Sequence, residues 1–530
     1  MKTKLAGNHA QTWENTVPVV SQQAATFVPS PKQRAVLDWV ENESGNAVIE
    51  AVAGAGKTTT LVAIANTIPT SLRGYAVVFN KRNADEMKAR FPFHIECGTF
   101  HSLWLRAIRP HVGHATLTVD AQKTSKIITA VLPSETSHNY TSVLPAYRVY
   151  IRPISELIGY AKNNGVGRLR DNVPATYQDF IAHYDMQLED DGVNIKALID
   201  YTMKVLDISN KNLSTIDFDD MLYLPFLNNW GIYQKDFVLV DEAQDTNPVQ
   251  IDLVKRMAKP SGRTIFVGDP HQAIYGFRGA SNSAMEKIAR MFKAKQLPLT
   301  VSFRCPQAVV KEAQKHVSHI EAHPTAPQGE VIRISEKIPA AYFEKQIAIV
   351  CRTTAPLVSF AFELIRNNIG CTVLGRDIGA RLLRVVKICK IDNLIDAPAA
   401  LEYYRAQEIE KAQRTHNETR ATTVNDQVDS ILAVLNALPI NSNVETLVQN
   451  IRNLFSDTAG ATRVVLSTVH KAKGLEWDTV MIIRPDLMPL PWIRQKWQRQ
   501  QERNIAYVAV TRAKSRLIIV DGEKPEYKQQ

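Results

Sequence analysis

Cysteine is scarce in this sequence, with five residues in a chain of 530. The five are widely spaced and none belongs to a CxxC pair. This pattern excludes a disulfide-rich secreted fold and gives no sign of a zinc or iron–sulfur site. We therefore expect reduced cysteines, most of them buried: Cys97, Cys305, Cys351, Cys371 and Cys389.

Long apolar runs are missing as well. The longest fall well short of the roughly 18 residues that cross a bilayer. The N-terminal stretch MKTKLAGNHAQTWENT has no apolar signal core, and no internal repeat or low-complexity tract is visible. The sequence therefore predicts a soluble, intracellular protein.

The chain does have an excess of basic residues and enough apolar ones for several cores. Its formal net charge is +10 and its hydrophobic content is 45%. A chain of this length is expected to form several domains of roughly 100 to 200 residues. The charge favours a polyanionic partner, but many basic proteins bind none, so the charge is informative only beside motifs.

The most informative stretch is VLVDEAQD, residues 238–245. The three apolar residues at its start predict a buried strand, and two carboxylates, Asp241 and Glu242, follow it. An acidic pair at a strand end is usually only solvated. In a nucleotide hydrolase, however, one such carboxylate holds Mg²⁺ and the other orients the attacking water.

A second motif, AVAGAGKTTT at residues 51–60, follows the apolar stretch AVIEAV and opens a helical pattern. A strand, a glycine-rich turn and a helix in this order cradle phosphates with backbone N–H groups. Ala51 stands where the first glycine is usual, but Gly54 and Gly56 still permit close backbone approach. The predicted nucleotide ligands are Ala53, Gly54, Ala55, Gly56, Lys57, Thr58 and Thr59, with Thr58 and Asp241 holding the metal.

Alternating strand and helix patterns divide the chain into two α/β units, each interrupted by a helix-rich segment. Residues 1–26 read as a flexible tail. The first unit comprises residues 27–104 and 214–297, with a helical insertion at 105–213. The second comprises 298–374 and 463–525, with a helical insertion at 375–462.

Several further segments stand in a fixed order: PSPKQRAVLDWV, GTFHSLWL, IFVGDPHQAIYGFRGA, TVSFRCP, STVHKAKGLEWDTV and NIAYVAVTRAKSRL. In this order the chain resembles a superfamily 1 DNA helicase of the UvrD/Rep type. FNKRNAD and ECGTFHSL are closest in wording to phage-encoded and F-box DNA helicase-like members, although no F-box-like segment is visible. The resemblance implies an α/β fold of two RecA-like P-loop motor domains with parallel sheets, each carrying a mainly helical insertion.

The resemblance also implies roles around ATP. Gln33 would contact the base, Gln272 would sense the γ-phosphate, and Glu476 would reach the ribose. Arg304 and Arg512 would act as arginine fingers, since a guanidinium stays charged and bonds phosphate oxygens with a planar fork. A surface glutamine is the alternative for Gln33.

For DNA, the resemblance implies contacts from three segments. Structural alternatives exist for three of the residues: Thr99 could cap a helix, Phe100 could belong to a core, and His470 could be a structural histidine. The family often has tryptophan where this chain has Phe277, just before Arg278. It also commonly has a second arginine where this chain has Asn504. The implied DNA-binding residues are Thr99, Phe100, His101, Tyr275, Phe277, Arg278, Thr468 and His470.

The resulting hypothesis is an ATP-dependent DNA helicase that uses ATP and Mg²⁺, moves on single-stranded DNA from 3′ to 5′, and unwinds duplex at single/double-strand junctions. It would act as a monomer or weak oligomer, with a nuclease, polymerase or recombination protein as partner, in the cytoplasm, or in the nucleus if eukaryotic. The alternative is an ATP-driven nucleoprotein remodeller or DNA-end sensor with little unwinding. A small-molecule phosphotransferase is disfavoured, because Arg304, Arg512 and the segment HKAKGLEW would have no role in it.

Overall fold

The computed structural model describes residues 27–79, 81–112, 116–137, 140–169, 173–184, 186, 188, 192–276, 284–335, 337–343, 345–414, 418–456, 464–491, 493, 495–522 and 526–528. The tail predicted at 1–26 lies outside this part of the chain, as do Phe277 and Arg278. Within the described ranges, no helix is both long and apolar enough to cross a membrane. All five cysteines are free, and three of them are buried.

The first lobe comprises the elements up to residue 299. Its strands are β1 (Ala47–Ala51), β2 (Gly74–Val78), β3 (Ile95–Thr99), β4 (Thr118–Val119), β5 (Ser134–Ser137), β6 (Tyr140–Val143), β7 (Thr215–Ile216), β8 (Lys235–Val240), β9 (Ala258–Gly268) and β10 (Lys295–Leu299). Its helices are α1 (Pro31–Asn42), α2 (Lys57–Thr67), α3 (Lys81–Lys88), α4 (Phe100–Ile108), α5 (Lys123–Val131), α6 (Ile151–Asn164), α7 (Val173–His183), α8 (Ile195–Lys211), α9 (Asp220–Leu227), α10 (Pro248–Met257) and α11 (Ala284–Met291).

The second lobe comprises the remaining elements. Its strands are β11 (Val301–Ser302), β12 (Glu321–Ala322), β13 (Glu330–Ile334), β14 (Lys337–Pro339), β15 (Ile347–Cys351), β16 (Cys371–Leu374), β17 (Phe455–Ser456), β18 (Val464–Thr468), β19 (Trp477–Ile483), β20 (Ala513–Val520) and β21 (Glu526–Lys528). Its helices are α12 (Gln307–Ala313), α13 (Ala355–Arg366), α14 (Arg376–Ile388), α15 (Ala397–Arg414), α16 (Glu418–Ala437), α17 (Val444–Leu454), α18 (Val469–Ala472) and α19 (Lys496–Val510).

Each lobe is built on one parallel sheet. The first has six strands in the order β10-β1-β9-β8-β2-β3, and the second has seven in the order β13-β20-β19-β15-β18-β16-β17. The described pairings within both sheets are parallel. Buried apolar runs such as AVIEA and IAIVC form the strands, as expected for sheets covered on both faces. The prediction of an α/β fold with two parallel sheets is therefore confirmed.

Parallel strands end at the same edge of their sheet, and this edge carries the candidate site. In the first lobe, β1 leads into the phosphate loop, β8 into the carboxylate pair, and β9 into the segment that contains Gln272. The register pairs Ile49 with Val267 and Val240 with Phe266, so the ends of these strands lie side by side. Motifs that are far apart in sequence are thereby brought together.

Each group of helices packs against the sheet of its own lobe. Helices α5 to α9 share one apolar core with a face of the first sheet, including Val48 and Val238. Helices α14 to α17 share another core with the second sheet, including Ile349 and Leu466. A third core is continuous between the lobes, since it joins Ile49 to Val350 and residues of α19. The lobes are thus in apolar contact next to the edge that carries the candidate site.

Candidate nucleotide cleft and nucleic-acid interface

The phosphate loop turns sharply between the end of β1 and the start of α2. Gly54 and Gly56 have φ angles of +74° and +76°, in the left-handed region that favours glycine. A Cβ on Gly54 would lie 2.5 Å from the Cβ of Arg304, so a larger residue cannot fit there. The turn leaves the N-terminus of α2 open toward a cleft lined by residues 54–59, which suits phosphate binding.

The carboxylate pair faces this loop from the end of β8. Lys57 Nζ lies 3.6 Å from Glu242 Oε2, and Gln244 Nε2 donates to the same oxygen at 2.5 Å. Glu242 has a φ of +48°, an uncommon conformation for a residue with a side chain and a place where strain is held by its surroundings. The pair is therefore held in a defined geometry beside the lysine.

The two carboxylates differ electrostatically. Burial, together with the neighbouring Glu242, raises the pKa of Asp241. Burial also acts on Glu242, but Lys57 and Lys473 outweigh it and hold the pKa of Glu242 below its ordinary value. Two adjacent acids with pKa values moved apart can take different roles in one reaction.

Thr58 and Asp241 fit a magnesium ion. The Thr58 side chain lies near enough to the Asp241 carboxyl to act on its pKa, in the lowering direction. Mg²⁺ prefers oxygen ligands and is usually held by one or two protein oxygens, substrate phosphates and water. Among the described residues, no group of three or more His, Cys, Asp or Glu side chains that could hold a metal occurs.

The cleft has a volume of about 570 Å³ and lies between the lobes. Lys57 and Glu242 line it from the first lobe, while Arg304, Glu476 and Arg512 line it from the second. The structure therefore brings the lysine of the phosphate loop and both predicted arginine fingers to one cleft.

Arg512 is 1% exposed, and its guanidinium is held at several points. Nε donates to the Val508 carbonyl at 3.0 Å, and Nη2 donates to Gln272 Oε1 at 3.3 Å. Burial and the nearby Arg304 lower the pKa of Arg512 to about 10, so it stays charged at neutral pH. Arg512 thus reaches across the cleft to the side chain expected to sense the γ-phosphate.

Lys473, which was not assigned a role from sequence, also bridges the lobes. Its Nζ donates to Asp245 Oδ2 at 2.6 Å and to the Gln272 carbonyl at 2.7 Å, and it lies 4.7 Å from the centre of the Tyr275 ring. Burial raises the pKa of Asp245 to about 6, although Lys473 opposes this. The segment HKAKGLEW contained a signal for this residue, because both of its lysines, Lys471 and Lys473, lie between the assigned positions His470 and Glu476.

Gln33 and Ala53 already have protein partners. Gln33 Oε1 accepts the Ser30 N–H at 3.0 Å, and its Nε2 donates to Thr60 Oγ1 at 3.1 Å. The Ala53 N–H donates to Tyr507 Oη at 2.9 Å. Gln33 therefore lies beside the phosphate loop and takes part in the capping box of α1. Its contact with the base stays a prediction.

The predicted DNA residues of both lobes occupy equivalent positions. Thr99 ends β3 and caps α4, with its side chain accepting the Ser102 N–H at 3.2 Å. Thr468 ends β18 and caps α18 in the same way, accepting the Lys471 N–H at 3.4 Å. His101 and His470 each follow two residues later. Each lobe thus presents a capped helix start and a histidine at the end of a strand.

Phe100 and Tyr275 both lie against other parts of the protein. Phe100 is 4% exposed and packs in the core beneath the first sheet, as in the alternative interpretation. Tyr275 lines the nucleotide cleft, where its ring is parallel to that of Phe79 at 6.0 Å. The DNA contacts implied for these two residues stay predictions. Burial lowers the pKa of His101, which favours a neutral imidazole.

Three further residues were missed by sequence reasoning. Phe303 is 45% exposed and lines the cleft next to Arg304. Tyr507 belongs to the apolar run IAYVAV, which resembles simple core. Asn504, where the family commonly has arginine, is 2% exposed and donates to the Ala273 carbonyl at 2.9 Å. Only the departure at Asn504 gave a signal in the sequence.

A phosphate loop and a carboxylate pair on one parallel sheet face arginines of the second lobe across a shared cleft, an arrangement that is typical of two-lobed P-loop nucleotide hydrolases. Sequence comparison is specific about the family. The UvrD/REP helicase N-terminal domain matches residues 31–293, and the UvrD-like helicase C-terminal domain matches residues 385–524. The chain belongs to the UvrD-like helicase family, and the predicted family is confirmed.

Individual relatives are distant. F-box DNA helicase protein 1 of Schizosaccharomyces pombe is 27% identical over 92% of this chain and 57% of its own length. F-box DNA helicase 1 of Gallus gallus is 26% identical over 89% of this chain and 47% of its own length. The Gabija protein GajB of Bacillus cereus is 24% identical over 92% of this chain and 95% of its own length. The chain thus spans about half the length of the F-box relatives.

Proposed function

We propose that this protein is an ATP-dependent DNA translocase that moves from 3′ to 5′ on single-stranded DNA and unwinds duplex. The observation that carries the proposal is the shared cleft, lined by Lys57 of one lobe and Arg512 of the other. Because nucleotide binding at this position joins the lobes, hydrolysis would let them separate. The direction is taken from the family resemblance.

The lobes support a division into motor domains and insertions. We propose that residues 27–104 and 214–297 form the first motor domain, and residues 298–374 and 463–525 the second, with insertions at 105–213 and 375–462. The strands of the two sheets lie in the motor ranges, except that β17 lies in the range of the second insertion and β10 extends to Leu299. Since a single chain supplies both sides of the cleft, we also propose that the monomer is active.

In hydrolysis, the chain would provide charge and orientation. Lys57, Arg304 and Arg512 would stabilise negative charge on the transferring phosphoryl group, and Gln272 would connect that charge to Arg512. Glu242, whose pKa is held below its ordinary value, would orient or deprotonate the attacking water. Thr58 and Asp241 would hold Mg²⁺, which supplies charge neutralisation at the phosphates when bound.

DNA would lie across the strand ends that carry the two threonines. The capped start of α4 at Thr99 presents backbone N–H groups that favour phosphates, and Thr468 lies at the equivalent strand end of the second lobe. His101 and His470 would contact the backbone, and Phe277 and Arg278 would grip bases or phosphates. Because each lobe has one such contact, opening and closing the cleft would change the spacing between two grips on the strand.

The decisive experiment measures ATP hydrolysis with single-stranded DNA, duplex DNA or RNA at two salt concentrations, and strand displacement on duplexes with a 3′ or a 5′ tail. We expect single-stranded DNA to stimulate hydrolysis, affinity to fall steeply with salt, and only the 3′-tailed duplex to be unwound. Lys57→Ala should abolish both activities and leave DNA binding intact, while Lys88→Ala, which changes an exposed lysine of α3, should leave both unchanged.

Other results would redirect the assignment. DNA-stimulated hydrolysis without strand displacement from either duplex would favour the nucleoprotein remodeller or DNA-end sensor. Stimulation by RNA alone would contradict DNA as the substrate. Hydrolysis that no nucleic acid changes would contradict a translocase, and retained turnover in Lys57→Ala would contradict the phosphate-loop assignment.

A further inference from the structure

Helix α19 crosses the boundary between the lobes with one continuous face. Side chains spaced three or four residues apart lie on one side of a helix. Four such side chains of α19, which belongs to the second lobe, contact the first lobe at successive points. We call this set the α19 ladder: Trp497, Gln501, Asn504 and Tyr507.

The ladder begins at the phosphate loop. Tyr507 Oη accepts the Ala53 N–H at 2.9 Å, and both residues are fully buried. A buried backbone N–H without a partner costs roughly as much as a lost hydrogen bond or more. This hydrogen bond therefore couples the position of the phosphate loop in the first lobe to the position of α19 in the second.

The next two rungs hold the segment 270–276, which follows β9. Asn504 Nδ2 donates to the Pro270 and Ala273 carbonyls at 3.2 and 2.9 Å. Gln501 Oε1 accepts the Gly276 N–H at 2.9 Å. Gly276 immediately precedes Phe277, where the predicted DNA grip begins. The segment that leads to the DNA grip is thus bonded to the same helix as the phosphate loop.

The last rung reaches the first insertion. The Trp497 ring lies parallel to the His183 ring at a centroid distance of 5.4 Å, and His183 ends α7. A Cβ on Gly276 would lie 3.0 Å from the Trp497 ring, so the tryptophan also contacts the segment 270–276. The ladder therefore extends from the phosphate loop to the insertion along one helix.

The same helix sets the position of Arg512. It ends at Val510, and Arg512 Nε donates to the carbonyl of Val508 in its last turn. Any shift of α19 therefore moves the guanidinium relative to the phosphate loop. None of the rungs needs to contact ATP for this effect.

We propose that Gln501, Asn504 and Tyr507 are positioning residues that fix Arg512 relative to the phosphate loop and make that position depend on the segment 270–276. This inference rests on the proposed function, because it treats Arg512 as an arginine finger and the residues after Gly276 as a DNA grip. DNA bound at the grip changes turnover by acting on α19 through Gln501 and Asn504. Tyr507 transmits the shift to the phosphate loop.

Two single substitutions test separate rungs. Asn504→Ala removes both bonds to the segment 270–276, and Tyr507→Phe removes one hydroxyl while retaining the buried ring. Gln498→Ala, which changes a half-exposed amide of the same helix, is the matched control. The measurements are kcat and the KM for ATP, with and without saturating oligothymidylate, and the thermal midpoint of each variant.

We expect Asn504→Ala to lower the ratio of DNA-stimulated to DNA-free kcat about tenfold, and Tyr507→Phe to lower kcat about fivefold in both conditions, consistent with the loss of one or two buried hydrogen bonds. The KM for ATP should change less than twofold in both, because binding groups are retained. Asn504→Asp should be more severe than Asn504→Ala, since its carboxylate would face two carbonyl oxygens. The double variant should lose less than the product of the single effects, because both act through one helix.

A normal stimulation ratio in Asn504→Ala would overturn the inference. So would losses of kcat that are accounted for entirely by a lower thermal midpoint or a raised KM for ATP. A wild-type protein whose turnover does not respond to DNA would contradict the proposed function instead. In that case the Tyr507→Phe comparison, which needs no DNA, still decides whether Tyr507 positions the nucleotide site.

Discussion

Arg304 and Glu476 form an ion pair at the rim of the nucleotide cleft, with Arg304 Nε 2.5 Å from Glu476 Oε2. Both residues were predicted to contact ATP, one at the γ-phosphate and the other at the ribose. Their side chains are 22% and 42% exposed, so the pair is partly screened by water and contributes little to stability. An ion pair this exposed costs little free energy to break.

Two variants distinguish Arg304 as an arginine finger from Arg304 as only the ion-pair partner of Glu476. Arg304→Ala should lower kcat roughly 10³-fold, as expected for an arginine finger. Glu476→Gln breaks the same ion pair but leaves the finger, so kcat should fall less than tenfold. Steady-state ATP hydrolysis with saturating single-stranded DNA measures both. Equal losses in the two variants would show that Arg304 acts only as the partner of Glu476.

The carboxylate pair allows a second prediction. Asp241→Asn should weaken nucleotide binding in the presence of Mg²⁺ and raise the Mg²⁺ concentration needed, because a metal ligand is lost. Glu242→Gln should bind nucleotide normally but lower kcat roughly 10²- to 10⁴-fold, because water is no longer activated. A fluorescent ATP analogue titrated at several Mg²⁺ concentrations, alongside ATP hydrolysis, distinguishes them. Identical binding curves for the two variants would contradict the division of roles.

The sequence was sufficient for the features that depend on local pattern. Apolar runs ending in glycines or carboxylates predicted strands that carry function at their ends, and parallel pairing brings Lys57 and Glu242 together. The order of motifs predicted the family. These features are short in sequence and need no knowledge of long-range packing.

Features that depend on partners far along the chain could not be predicted. Tyr507 resembles core until its hydroxyl is seen to accept the N–H of Ala53, 454 residues away. Whether Phe100 points to solvent or inward depends on how helices α5 to α9 cover the sheet. The direction of the Tyr275 ring depends on Lys473, which comes from the other lobe.

Phe303 provides a third prediction. Its exposed ring lines the cleft, with the His323 ring at a centroid distance of 4.8 Å, and can stack on a nucleobase. Phe303→Ala should raise the KM for ATP about tenfold with a smaller effect on kcat, since base-on-aromatic stacking is worth about 1–3 kcal/mol. Phe303→Tyr should remain close to wild type. Phe93→Ala, at an aromatic residue that is 82% exposed outside the cleft, is the control. An unchanged KM in Phe303→Ala would show that the base lies elsewhere.

The first insertion offers a test of stability through a buried ionic cluster. Lys162 is 1% exposed, and its Nζ lies 2.7 Å from Asp217 and 2.8 Å from Asp220. Burial lowers the pKa of Lys162, but the two aspartates outweigh this and raise it, so the lysine is charged when buried. Lys123 also contacts Asp220, at 2.7 Å, and connects α5 to the same cluster.

Lys162→Met should destabilise the protein on the order of 3–5 kcal/mol, because removing one partner leaves buried carboxylate charge without compensation. Lys211→Met breaks an exposed pair with Asp207 on α8 and should cost less than about 0.5 kcal/mol. Urea unfolding followed by circular dichroism measures the difference between the variants. Hydrogen exchange should localise the loss of protection to α5, α6 and α9. Equal midpoints for the two variants would mean that the cluster is not what attaches the insertion helices to the first lobe.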